Sequence, residues 1–135
     1  MYQNIMIPVA FDEDRDLARA TQVAKALAAP GARITFFHVT ESFPTYVADY
    51  LPPEAWQERR IAAKARVADL ADTVAGAEGI VVDGTSGRTI TGWASDNGAD
   101  LIVIASHRPQ MSDIFLGSTA AWVVRHADCC VHVIR

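Results

Sequence analysis

A doubly wound α/β fold, with five parallel strands in the order 3-2-1-4-5 and helices on both faces, is what this sequence predicts, and three observations predict it. Short apolar runs alternate with longer amphipathic segments along the whole chain, the pattern of parallel strands joined by right-handed helical crossovers. The apolar runs are continuous rather than alternating, as in strands covered on both faces. No linker or internal repeat interrupts the 135 residues, so residues 1–135 are expected to form a single domain, of a size that buries a core without disulfide or metal staples.

The elements follow in order. Asn4-Ile-Met-Ile-Pro-Val-Ala10 is too short for a helix and too continuous for a half-solvated strand, and reads as a central strand. Phe11-Asp-Glu-Asp14 supplies helix-start chemistry, and Leu17, Ala20, Ala24 and Leu27 recur at helical spacing until Pro30-Gly31. Arg33 to Thr40, rich in β-branched and aromatic residues, is the second strand. Glu41 to Pro53 carries three prolines and three aromatics; it reads as an irregular lid or packing flap rather than a helix. Trp56, Ala63, Val67, Leu70 and Val74 share one face of the longest helix, Glu54 to Ala75. Gly79 to Gly84 is the third strand. Ser86 is placed to cap a helix whose Ile90, Trp93, Ala94 and Asn97 share a face before Gly98 ends it. Leu101 to Ala105 is the most uniformly apolar run and the fourth strand. A helix from Ile114 to His126 and a last strand, Cys130 to Ile134, complete the pattern.

Composition narrows the function classes. Half the residues are hydrophobic, Gly and Pro are ordinary in number, and the formal charge is -4, which gives no general attraction for nucleic acid or anionic lipid. Only Lys25 and Lys64 are lysines among the twelve basic residues, so local cationic roles fall to arginine. The start lacks a basic n-region with an apolar core, and no stretch approaches the roughly 18 apolar residues of a spanning helix; a cytoplasmic protein with no membrane partner is expected. The adjacent Cys129 and Cys130 read as reduced thiols, because neighbours in an extended strand point to opposite faces. No CxxC or HxxxH spacing offers a metal site.

In doubly wound sheets ligands bind beyond the carboxyl ends of the strands, where strand order reverses. That directs attention to Ala10–Asp14, Val39–Glu41, Gly84–Arg88 and Ala105–Thr119. The last of these joins the best strand to a helix through a Gly117-Ser118-Thr119 step, with His107 and Arg108 close by in sequence. Free amides and hydroxyls at such a helix start suit an anion, although a plain strand-to-helix loop with a hydroxyl cap fits the same residues. The stretch matches neither the Walker A pattern nor GxGxxG.

Ala105-Ser-His-Arg-Pro109, Leu116-Gly-Ser118, Val124-Arg-His-Ala127, Cys129 and the ending Val131-His-Val-Ile-Arg135, with Ile7-Pro-Val9 and Gly98-Ala-Asp-Leu-Ile-Val103, together resemble the universal stress proteins, closest to their F-like branch. The resemblance runs the whole length. It implies a Rossmann-like fold of the adenine nucleotide alpha hydrolase-like kind, ATP binding (with AMP or ADP as alternatives and Mg2+ or Mn2+ as companion), a stress-response regulatory role without catalysis, and a homodimer through residues 129–135.

Carried over, the family site places Pro8 and Val9 beside the adenosine, the Val39 backbone at the adenine edge and Gly84 against the nucleotide. Ala105, Ser106, His107 and Arg108 line the phosphates, and Gly117, Ser118 and Thr119 hold their far end. The commoner family signature has glycines where Ala105 and Arg108 stand, and an acid where Ala10 stands. Asp12 is the nearest carboxylate, open to ribose recognition or to capping the next helix. His38, His126 and His132 read as structural or surface residues, and Trp122 as a residue that a dimer contact would cover. The alternative function is a homodimeric scaffold of the same fold that binds no nucleotide.

Overall fold

The computed structural model describes residues 1–11, 14–41, 45–106 and 116–135. Five parallel strands form one sheet in the order β3-β2-β1-β4-β5: β1 (Tyr2–Pro8), β2 (Ala28–Thr40), β3 (Ala77–Asp83), β4 (Leu101–Ala105) and β5 (Cys130–Ile134). Between them run α1 (Asp14–Leu27), the one-turn α2 (Thr45–Ala48), α3 (Pro53–Asp72), α4 (Ser86–Asp96) and α5 (Ser118–His126).

The continuous apolar runs do what continuous runs must, feeding a core on each side of the sheet. Successive strand residues point to opposite faces. Thus Ile5, Ile7, Phe36, Leu101 and Val103 pack under α1 and α3 with Ala20, Ala24, Val67 and Ala71. Met6, Phe37, Ile102 and Ile104 pack under α4 and α5 with Ile90, Ala94, Ala120 and Val123. Ile5, Met6 and Ile7 are wholly inaccessible to solvent. Each such side chain contributes about 1.5–3 kcal/mol relative to exposure.

Four features differ from the sequence-based expectation, the first being the last helix, which begins at Ser118 with Leu116 and Gly117 outside it rather than at Ile114. Pro30 and Gly31 do not end α1, which stops at Leu27; they lie inside β2, which begins at Ala28 and whose register against β1 shifts between Tyr2 and Asn4. The segment after Glu41 contains a helix after all, α2, because a single turn fits ahead of Pro52-Pro53, which then starts α3. Ser86 is the first residue of α4 rather than its cap; Thr85 is the cap and makes no side-chain bond.

Pairing between β1 and β4 is confined to Ile5↔Leu101 and Met6↔Ile102, although β4 runs on to Ala105. Val9 N–H donates to Phe37 O at 2.8 Å, toward β2. Backbone groups of successive strand residues point to opposite neighbours, so the preceding position, Pro8, faces β4, where proline has no N–H to give. The two strands part there. That is where the chain, having laid β2 and β3 on one side of β1, returns to lay β4 and β5 on the other, the place such sheets leave open for a ligand.

Candidate functional site

A cavity of about 170 Å³ opens at this parting. The end of β1 supplies Pro8, Val9 and Ala10; β2 supplies Phe37, His38 and Val39; β4 and its continuation supply Ile104, Ala105 and Ser106. The starts of two helices close it, Ser86 and Ile90 from α4 and Gly117, Ser118, Thr119 and Ala120 from α5. The middle of the wall is therefore apolar, from Phe37, Val39, Ile90 and Ile104, with polar groups at the helix starts.

The start of α5 is fixed by backbone alone. Ser106, only 4% exposed, donates its N–H to Ile134 O (2.8 Å) and accepts from the Gly117 N–H (2.6 Å), tying the ends of β4 and β5 to the helix. A Cβ on Gly117 would lie 3.1 Å from that same carbonyl oxygen, so a side chain there would crowd the close approach of the chain to itself. The Gly117 amide is thereby engaged. The first intrahelical bond is Ala121 N–H to Gly117 O at 2.8 Å, which leaves the amides of Ser118, Thr119 and Ala120 with no acceptor among the described residues. Ser118, Thr119 and Ala120, at the positive end of the helix, line the cavity.

The start of α4 is arranged differently. The Glu41 carboxylate reaches over from the end of β2, and its Oε1 accepts from Ser86 Oγ (2.6 Å) and from Ser86 N–H (3.3 Å). The chain's own anion thus occupies this helix start. Arg60 of α3 pairs with Asp83 at the end of β3, and Arg59 Nη1 donates to Glu41 O at 3.5 Å, so α3 holds this side of the rim. Gly87 lets α4 lie directly against α5: a Cβ there would meet the Trp122 ring at 2.6 Å. Both helix starts consequently converge on one cavity. On its outer side Trp122 stacks on His126 (3.8 Å between centroids) and lies 5.0 Å beneath the Arg88 guanidinium.

His38, read from sequence as structural, belongs to the wall. Its Nδ1 is 2.7 Å from Val9 O. A carbonyl only accepts, so Nδ1 carries the proton and Nε2 is an acceptor in the neutral ring. Phe11 stacks on His38 at 4.3 Å, with the Arg66 guanidinium 4.1 Å from the Phe11 centroid, closing the side beneath α3.

Of the residues expected at the site, Pro8, Val9, Ala10, Val39, Ala105, Ser106, Gly117, Ser118 and Thr119 all line the cavity. Gly84 stands just outside the wall, its N–H donating to Thr40 O at 3.1 Å, and Ser86 takes the place expected for it. Asp12, His107 and Arg108 lie outside the described residues. Ser86, His38 and the apolar Phe37, Ile90 and Ile104 were not singled out for the site from sequence. The signal for Ser86 was its place two residues beyond Gly84, in the segment that the reversal of strand order marks.

Over residues 1–135 the chain matches a family model described as the universal stress protein family. Universal stress protein G of Shigella flexneri is 48% identical over 42 residues, covering 31% of this chain and 30% of that protein. That match therefore spans less than a third of the curated relative's length. The solved structure of universal stress protein UspA from Lactobacillus plantarum superimposes with a TM-score of 0.81 at 26% identity, covering 99% of this chain and 98% of that one. A universal stress protein family protein from Arabidopsis thaliana, solved with AMP bound, superimposes with a TM-score of 0.63 at 20% identity, covering 98% of this chain and 90% of that one.

Proposed function

Because the chain belongs to the universal stress protein family, we propose that it is a regulatory module whose cavity takes an adenine nucleotide, ATP in the first place and AMP or ADP as alternatives. One observation carries this reading: at the positive end of α5 the amides of Ser118, Thr119 and Ala120 have no acceptor among the described residues, and all three residues line a cavity whose middle wall is apolar. Amides with no acceptor among the described residues suit phosphate oxygens, and apolar walls at Val39, Ile90 and Ile104 suit a base. The AMP-bound relative supports the same assignment. The F-like motifs around Gly117 point to ATP.

A divalent cation, Mg2+ or Mn2+, would be held by phosphate oxygens and water. No cluster of three or more His, Cys, Asp or Glu exists among the described residues to hold one directly. Nucleotide occupancy then biases the order of the loops around the cavity and hence the choice of protein partner, with no chemical step, in a cytoplasmic stress response. Residues 1–135 act as one domain. Two copies pair through residues 129–135, covering the outer edge of β5, which otherwise offers unpaired backbone groups to any passing strand. Sedimentation at tens of micromolar should give a dimer, and a monomer at about that concentration counts against the pairing.

The second reading, a scaffold without nucleotide, draws on Ala10. It lines the wall where the family has an acid, and no described carboxylate replaces that acid. Heating the protein with and without ATP separates the two. A ligand at about 100 times its Kd stabilises the folded state by about 2.7 kcal/mol and must raise the midpoint. An unchanged midpoint, with no nucleotide released from purified protein by acid, leaves only the scaffold.

A further inference from the structure

Gly87 lies buried in the first turn of α4, where a glycine costs stability relative to alanine and a methyl group would cover apolar surface. What excludes the methyl is α5. A Cβ on Gly87 would stand 2.6 Å from Trp122 Cγ, 2.7 Å from Cδ1 and 2.9 Å from Cβ, whereas carbon atoms settle at about 3.5–4.0 Å. Cβ and Cγ are the root of the indole, so turning the ring about the bond between them does not clear the space. The ring itself is held in place. It stacks on His126 with 3.8 Å between centroids and 18° between planes, and the Arg88 guanidinium lies 5.0 Å from its centroid. Its buried Nε1–H has no acceptor among the described residues, so ring contacts rather than a hydrogen bond fix its position.

Both members of this contact stand next to cavity wall. Ser86, which precedes Gly87, lines the cavity from α4, and Ser118, one helical turn before Trp122, lines it from α5. Resting on the nucleotide reading above, we propose that the Gly87–Trp122 contact is the spacer of the site: it sets the gap between the starts of α4 and α5, and Trp122, behind the wall, is a positioning residue for the nucleotide. Relieving a 2.6 Å approach by a methyl group means parting the two helices by about 1 Å at this point. A binding constellation has to be held within about 0.5 Å, so the parting is felt at the ligand.

Calorimetric titration of ATP against the full chain and a double-mutant cycle test the idea. Gly87→Ala is expected to bind ATP about tenfold more weakly than the native protein. Trp122→Ala removes Cγ and Cδ1, the two nearest atoms, and in that background the same alanine should cost less than about threefold. Such non-additivity marks a spacer, since two residues acting separately would give the same loss in both backgrounds. Val67→Ala, in the core on the other face of the sheet, should lower the thermal midpoint yet leave the ATP affinity within about twofold, which separates spacing from general loss of stability. Where Gly87→Ala does not fold, Trp122→Ala alone carries the test: with the spacer cut short it should bind ATP about threefold more weakly, while Val67→Ala does not.

Native affinity in Gly87→Ala or in Trp122→Ala, or a loss repeated in full when both residues are changed, overturns the proposal while leaving nucleotide binding intact. Absence of ATP binding by the native protein defeats the nucleotide reading itself, and this inference with it.

Discussion

At the N-terminal edge of the sheet, Asp100 accepts from the amides of Gln3 (2.8 Å) and Asn4 (3.0 Å), its own N–H donates to Asn4 O (2.9 Å), and Asn4 Nδ2 donates to Asn97 O (2.8 Å). At the C-terminal edge, β1 and β4 part after Pro8 and three amides at the start of α5 find no acceptor among the described residues. Both edges hold the same kinds of groups, strand ends and helix ends. One is closed by a carboxylate aimed at strand amides. The other has donors with no acceptor among the described residues, on residues that line a cavity. On the proposed nucleotide reading, the first edge serves stability and the second binding, which mutations can separate.

The largest effect is expected at the closed edge. Asp100→Ala leaves the Gln3 and Asn4 amides without their acceptor, and should lower the unfolding free energy by about 2 kcal/mol in urea titration. The rise in thermal midpoint produced by ATP should persist. A variant of native stability that no longer responds to nucleotide would reverse the assignment of the two edges.

How much of this was legible depends on whether a residue's surroundings are local in sequence. Leu101–Ala105 and Cys130–Ile134 were bounded correctly because a run of apolar residues between turn residues has one reading. The wall residues Val39, Ser106 and Gly117 fall in segments that the reversal of strand order marks, whereas Pro8 and Val9 were expected only from the family resemblance. The role of Gly117 was not. Its neighbour is Ser106 O, eleven positions back in sequence, so its amide proves to be engaged and the amides without a described acceptor begin one residue later. The pairing of Glu41 with Ser86 spans 45 residues and depends on two strand ends lying side by side; neither residue type announces it. His38 likewise looked like a strand residue among aromatics until Val9 O fixed its tautomer.

At the open edge a proline tests the amides directly. Ser118 is the first helical residue, where proline is well tolerated, and Gly117 before it is extended (φ -58°, ψ 154°), the conformation a following proline favours. Ser118→Pro should therefore unfold within about 0.5 kcal/mol of the native protein, yet bind ATP about tenfold more weakly, having lost one donor to a charged group. Ser118→Ala, which keeps the amide and removes the hydroxyl, should lose less. Equal losses in the two variants would transfer the role from the backbone to the side chain.

The smallest effect belongs again to the closed edge and depends on pH. Cys129, half-buried between α5 and β5, has its thiol pushed above the usual 9.0 by burial first, then by the charges of Cys130, Asp128 and Asp100, against a weaker opposing pull from its own backbone. The folded state holds this proton longer than the unfolded chain does. The corresponding stability is complete below pH 9.0 and is lost as pH rises through the higher folded-state value. Thermal midpoints should then fall more steeply above that pH in the native protein than in Cys129→Ala, by a small margin because the site is partly open to water. Asp100 stands beside this thiol, at the opposite end of the strands from the start of α5, so the loosening should leave the nucleotide-induced rise in midpoint unchanged. Parallel loss of both would mean that the two edges are coupled through β4, the strand that runs from Asp100's neighbour Leu101 to the wall residue Ala105.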